Sequence, residues 1–381
     1  MPNGPHSPST ADVIVIGGGV IGCSIALRLA QARMRVMVVE RGEPGGEASS
    51  AAAGMLAPQG EAIELDPFFE LCAASRDAYP QFVAEIEELS GEEVGYRGDG
   101  TLLVGIEEKE CRELDEIYAA QSRYGLPIER LDAAAVARRV TGLSPAIAAG
   151  IFIPGDHWVD NERLALGLVK ACQKLGVIIH SGTSVTRLNV RDGRVESLHA
   201  ASSATGSNSD FTAGQFVLAA GCWSGELMAP LGVTLPIVPC RGQMMEFDAL
   251  EELPLVVRAG HHYMVPRPGR RVLVGTTAEY VGFDKAVTGQ GLRSILDGAA
   301  RIAPLMGRQK FRRAWAGLRP DTPDHLPIQG YGDIKNLVLA TGHFRNGILL
   351  APLTAQLITE LILGRPVSHP MDTYNPMRFK K

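Results

Sequence analysis

Gly17, Gly19 and Gly22 form the pattern G-x-G-x-x-G, directly after the strand 12–16 and directly before an apolar, helix-forming stretch. The three glycines allow, in turn, a tight turn, close backbone approach to a pyrophosphate, and contact between helix and strand. A second strand ends at Glu40, whose carboxylate can accept adenosine ribose hydroxyls and repels a 2′-phosphate. A similar corner recurs near the other end of the chain. There the apolar strand 337–340 runs into His343, Phe344, Arg345, Asn346, Gly347, Ile348 and Leu349, which open an amphipathic helix. A polar loop at a helix N-terminus presents free backbone N–H groups to an anion. Two such corners imply one long bound cofactor. Residues 45–54 are almost all Gly, Ala and Ser and lead to Met55-Leu56. Small side chains there let a large flat ring lie against the backbone, and Ser49 and Ser50 can reach phosphate or ribitol oxygens.

These groups need a scaffold, and 381 residues exceed the size at which one core stops growing, so two domains are expected. After the first βαβ unit, the pattern predicts a helical stretch over 66–89, a strand or hairpin over 91–106, and a charged helix over 107–124 that stops near Gly125. A further helix starts at Asp160 or Asn161 and ends at Leu175, with Gly176 as its stop. Alternating segments 177–180, 185–190 and 194–198 follow, then a polar excursion over 200–210 that reads as disordered. Residues 216–221 read as a fully buried strand that returns the chain to the first sheet. Residues 226–317 are β-rich. The expected class is α/β: a Rossmann-like domain with a parallel sheet (1–87, 148–225 and 318–381) interleaved with an antiparallel-sheet domain (88–147 and 226–317).

Composition narrows the function. A net charge of −5 supplies no basic surface for a phosphate backbone, which argues against nucleic acid. Six cysteines without a C-x-x-C pair read as core residues of a reducing compartment, with no structural metal. His261 and His262 are adjacent, so on a strand they point to opposite faces and read as surface residues. The start MPNGPHSPST reads as a disordered tail instead of a signal peptide. No stretch reaches the roughly 20 apolar residues of a spanning helix. The expected location is the cytoplasm, away from membranes.

The segments VIVIGGGVIG, Glu40, SSAAAGML, FVLAAGCWS, YMVPR from Tyr263, GTTAEYVGFD from Gly275, WAGLRP from Trp315 and GHFRNGILLAP together resemble the D-amino-acid oxidase superfamily of flavoenzymes. Within it they are most similar to the glycine oxidases of thiamine biosynthesis, over almost the whole chain. The resemblance implies FAD, contacted by Val20, Ile21, Glu40, Arg41, Ala48, Ser49, Ala53, Gly54, Met55, the backbone of Val185, and residues 343–349. It also implies noncovalent binding, since residues 321–325 lack the cysteine that tethers flavin in related sarcosine oxidases. Arg319 would grip the substrate carboxylate with its planar fork, assisted by the Tyr263 hydroxyl. Arg345 would stand near the imino product, and the helix after it would present its positive end to the flavin. Trp223 reads as packing, and Trp315 as a water-excluding neighbour of Arg319. Ala278 and Met264 are the candidates for setting substrate size. The implied reaction is oxidation of glycine, and of small amines such as sarcosine, to the imine, giving glyoxylate, ammonia and hydrogen peroxide. Oxygen is the acceptor, the assembly a homotetramer, and the downstream partner thiazole synthase. One rival is a D-amino-acid or proline dehydrogenase of the same superfamily that passes electrons to a quinone. Another is a protein that binds the nucleotide without redox turnover.

Overall fold

The computed structural model describes residues 10–62 and 65–380. The tail expected at the N-terminus falls on residues 1–9, outside that range. The first sheet runs in the order Ile328–Tyr331, Leu337–Thr341, Asn208–Leu218, Thr10–Ile16, Val36–Val39, Ile178–His180. Its central pairings are parallel. The strand Thr10–Ile16 explains why this sheet is central to the molecule. Val13 and Val15 face a core shared with the helices Val20–Gln31, Asn161–Lys174 and Gly347–Ile362, while Ile14 and Ile16 face a second core with Leu198, Phe211 and Leu235. A strand covered on both faces must be apolar throughout, as this one is after Asp12.

The second sheet is ordered Lys310–Asp321, Val238–Asp248, Arg271–Gly275, His262–Arg267, Val256–Ala259, Thr101–Gly105, Ala149–Ile153, Glu129–Asp132. All its pairings are antiparallel except Val256–Ala259 with Thr101–Gly105. The helix Gly289–Ile302 covers one face through Ile295, Ala299 and Ile302, packed on Met245, Met264 and Val274. The other face carries Met244, Tyr263, Val265 and Leu273. Ala149–Ile153 belongs to this sheet, so the second ladder continues past residue 148 before the chain returns to the first.

Three local expectations change. Residues 66–89 form two helices, Pro67–Asp77 and Tyr79–Ser90, because Pro80 cannot continue the preceding turn. In 91–106 only Thr101–Gly105 is a strand, since Gly91, Gly95 and Gly100 all take left-handed backbone. The excursion at 200–210 is an ordered hairpin. Arg194–Ser202 pairs antiparallel with Asn208–Leu218, and the Ser202 N–H donates to the Ser207 carbonyl at 2.9 Å. The backbone ladder needs no apolar side chains on its solvent side, so polar composition hides it.

Candidate active site

The first glycine corner is built as its spacing predicts. Gly17 has φ 104°, and a Cβ there would lie 2.5 Å from the Ala219 carbonyl oxygen. A Cβ on Gly22 would lie 1.9 Å from the Gly17 oxygen, so this glycine serves the contact of helix with strand and does not reach the cleft. Gly19 precedes the helix Val20–Gln31, and the Val20 N–H donates to Ser49 Oγ at 2.9 Å. Glu40 is buried beside this turn. Its carboxylate accepts the Gly18 N–H at 2.7 Å and the Gly42 N–H at 2.8 Å, which fixes its direction and leaves lone pairs for hydroxyl donors.

Two residues outside the expected set hold the small-residue segment in place. Asn161 Nδ2 donates to the carbonyls of Ser49 (2.8 Å) and Ser50 (3.0 Å). Arg267 Nη2 donates to the Ala53 carbonyl and to Asn161 Oδ1, both at 2.8 Å. Burial pulls the Arg267 guanidinium down to about 10, which still leaves it charged at neutral pH. Asn161 is legible in the sequence as a possible helix cap, but Asp160 takes that role, accepting the N–H groups of Glu162 and Arg163. The polar asparagine inside a buried helix start is the available signal.

At the second corner the strand Leu337–Thr341 leads through the single turn Phe344–Asn346 into the helix Gly347–Ile362, whose Asn346 makes no side-chain cap. His343 is buried, with its Nε2 within 3.2 Å of Thr354 Oγ1 and 3.3 Å of Gln329 Nε2. Burial pushes its imidazole down to about 3, so it stays neutral. Leu349 points into the core of the first domain and does not line the cleft.

Both corners open into one cleft of about 1050 Å³ between the two sheets. Of the expected cofactor contacts, Gly17, Gly19, Val20, Ile21, Glu40, Arg41, Ala48, Ser49, Ala53, Gly54, Met55, Val185 and residues 343–348 line it; Gly22 and Leu349 do not. The volume, the two N–H corners, the buried Glu40 carboxylate and the narrow places where only glycine fits match the extended shape of FAD.

Arg319, Tyr263 and Arg345 also line this cleft. Arg319 sits on the strand Lys310–Asp321, opposite the strand that carries Gly242, where a Cβ would lie 2.3 Å from its guanidinium. Its Nη1 donates to the Thr277 carbonyl at 3.1 Å and its Nη2 to Thr276 Oγ1 at 2.8 Å. Among the described residues no carboxylate pairs with it. The Tyr263 hydroxyl lies 3.2 Å from Met244 Sδ. Arg345 is exposed beside the Phe344 ring.

Several side-chain readings are corrected. Trp223 lines the cleft, with the Arg41 guanidinium 3.4 Å above its ring. Trp315 lies outside the lining; its Nε1 donates to the Ala51 carbonyl at 3.2 Å and so ties the second sheet to the small-residue segment. His261 is exposed as expected, at the edge of the cleft, whereas His262 is half-buried against Gly298 of the covering helix. Met264 turns into the opposite core, while Ala278 faces the cleft. Strand alternation from Tyr263 is the sequence signal for Met264.

The chain is similar to known proteins over nearly its whole length. It is 38% identical over 379 residues to the bifunctional protein ThiO/ThiG of Synechocystis sp., covering 97% of this chain and 54% of that protein. The chain thus spans about half the length of the first curated relatives it matches. It is 34% identical over 357 residues to glycine oxidase of Geobacillus kaustophilus, covering 92% of each. The crystal structure of glycine oxidase from Geobacillus kaustophilus superimposes with a TM-score of 0.92 at 31% identity, over 98% of this chain and 100% of that one. With the model for the DAO family, FAD dependent oxidoreductase, matching residues 12–361, the chain belongs to that family.

Proposed function

We propose that this chain is a glycine oxidase: with FAD it oxidises glycine, and small amines such as sarcosine, to the imine, which water hydrolyses to glyoxylate and ammonia. The observation that carries the reading is the Arg319 fork, oriented by Thr276 and Thr277 and without a carboxylate partner among the described residues, in the same cleft as the dinucleotide cradle. Bound FAD would supply a two-electron acceptor for the hydride on the amine's α-carbon, with oxygen as the final acceptor that yields hydrogen peroxide.

The chain's own residues contribute binding and alignment. Arg319 offers its remaining N–H donors to a carboxylate, and the bound acid fixes where the α-carbon points. Tyr263, on the same face of the second sheet, adds a phenolic donor to the same group. Gly242 and Gly317 keep the floor beside Arg319 free of side chains, and the cleft wall at Ala278 limits the substrate's far end. Arg345 stands on the product side at the second corner.

This reading includes a division of the chain into an FAD-binding domain around the first sheet and a substrate domain around the second, with Ala149–Ile153 assigned to the latter. It also includes a homotetramer working in the cytoplasm and delivery of the imine to thiazole synthase. Support for the last comes from relatives named ThiO/ThiG. No helix among the described residues is long and apolar enough to cross a membrane. Bleaching of the purified yellow protein by glycine without air tests the redox reading. Peroxide yield under air separates it from a quinone-linked dehydrogenase, which makes almost none.

A further inference from the structure

Between the strand Arg271–Gly275 and the helix Gly289–Ile302, residues 279–287 form no strand or helix beyond an isolated bridge to Arg241. This segment is fixed to the second sheet at Glu279 and again at Asp284. Arg241, 5% exposed, pairs through Nε with Glu279 at 2.7 Å and through Nη1 with Asp284 at 2.7 Å. The side chains on either side of Asp284 instead reach across to the first domain. Lys285 Nζ lies 3.1 Å from Glu47 Oε2, and the Phe283 ring lies 5.4 Å from the Trp223 ring. Glu47 and Trp223 both line the cleft at the cofactor end.

The two sets of contacts therefore differ in strength. Those to the second sheet use a buried guanidinium with two charge-assisted bonds. Those to the first domain use an ion pair whose side chains are 46% and 34% exposed, and one tilted ring contact. Exposed pairs of this kind are weak and easily exchanged with water. A segment anchored on one domain and lightly closed on the other, across the rim of a cleft, has the build of a latch.

We propose that residues 279–287 are a strap that closes over the FAD cleft at Glu47 and Trp223 and slows release of the noncovalently held cofactor. The proposal rests on the reading that the cleft holds FAD. With the segment held on the second sheet through Arg241–Asp284 and Tyr280–Asp321, opening is the withdrawal of the Lys285 and Phe283 side chains from Glu47 and Trp223, so these two side chains set how often the cofactor can leave, while the glycine corners set how well it is held once inside.

The test compares the wild type with the F283A/K285Q variant, each loaded with FAD and then diluted into a flavin scavenger, following release by recovery of flavin fluorescence. Losing one ring pair and one exposed ion pair is expected to speed release about tenfold. The conservative F283L variant, which keeps an apolar contact with Trp223, is expected to fall between the two. Thermal melting of the flavin-free proteins checks that the variants fold as the wild type does. Release within twofold of the wild type, in a variant with an unchanged flavin-free melting point, overturns the strap alone. A folded wild type that takes up no FAD overturns the cofactor reading, and the strap with it.

Discussion

Replacing Arg319 by alanine tests the substrate site most directly. The guanidinium carries five N–H donors, and two are used on Thr277 and Thr276, which leaves three for a ligand. Truncating one partner of a buried, hydrogen-bonded charge pair costs about 2–5 kcal/mol, or about 30- to 4000-fold in affinity. The fold should suffer little. The Thr277 carbonyl and the Thr276 hydroxyl face the cleft, where water replaces the lost donor, at a cost of about 1 kcal/mol. FAD content is therefore expected to match the wild type, while the glycine concentration that half-saturates anaerobic flavin bleaching rises by at least about thirtyfold. R319K keeps the charge but loses the planar fork, and is expected to lie between the two. The assay is rapid mixing of the FAD-loaded protein with glycine, read at the flavin absorbance. Half-saturation within threefold of the wild type in both variants would refute the assignment, because no carboxylate could then depend on this side chain.

The other predictions concern smaller changes. Y263F removes one donor to the same carboxylate and should weaken glycine binding by about 0.5–1.5 kcal/mol; half-saturation unchanged within error in the bleaching assay removes Tyr263 from the site. G22A places a Cβ 1.9 Å from the Gly17 oxygen, which is backbone and cannot step aside, so it should lower stability by about 1–3 kcal/mol and reduce flavin content together. A melting point and flavin content equal to wild type would refute the close contact. His343 has its imidazole pushed from 6.5 to about 3 by burial. Below pH 6.5 the unfolded chain takes a proton that the folded chain refuses. Its contribution to stability is thus complete above pH 6.5 and is lost as pH falls toward 3, by at most about 1.4 kcal/mol per pH unit. Urea unfolding from pH 7 to pH 5 should show a shallower pH slope for H343Q than for the wild type, and equal slopes would exclude this residue as the source.

Most of the cofactor end is legible in the sequence because backbone chemistry dictates residue type there. Only glycine tolerates the approach of Gly22 to Gly17, and an acid at the end of a second strand is required at Glu40, so the pattern carries its own geometry. The supports are harder to read. Asn161 and Arg267 act through carbonyls of residues 49–53, a contact between segments more than a hundred residues apart that no local pattern encodes. Thr276 and Thr277 orient Arg319 by the same kind of long-range bond. Trp223 reads as packing because an aromatic between cysteine and serine has no distinctive periodicity; its place at the cleft is visible only when Arg41 lies over it. The hairpin at 200–210 escapes the sequence pattern for a different reason. Its ladder is held by backbone groups, and its polar side chains carry no hydrophobic signal.

The order of strands in the first sheet bears on how the chain is made. The edge of Phe216–Leu218 that pairs with Leu337–Leu339 has no partner until more than a hundred further residues have left the ribosome. During that interval an apolar, hydrogen-bond-hungry edge is open to any other extended chain, the situation in which sheets add foreign strands. Slowing translation between these two strands, or depriving the cell of holdase chaperones, should therefore cost soluble yield even when the finished protein is stable.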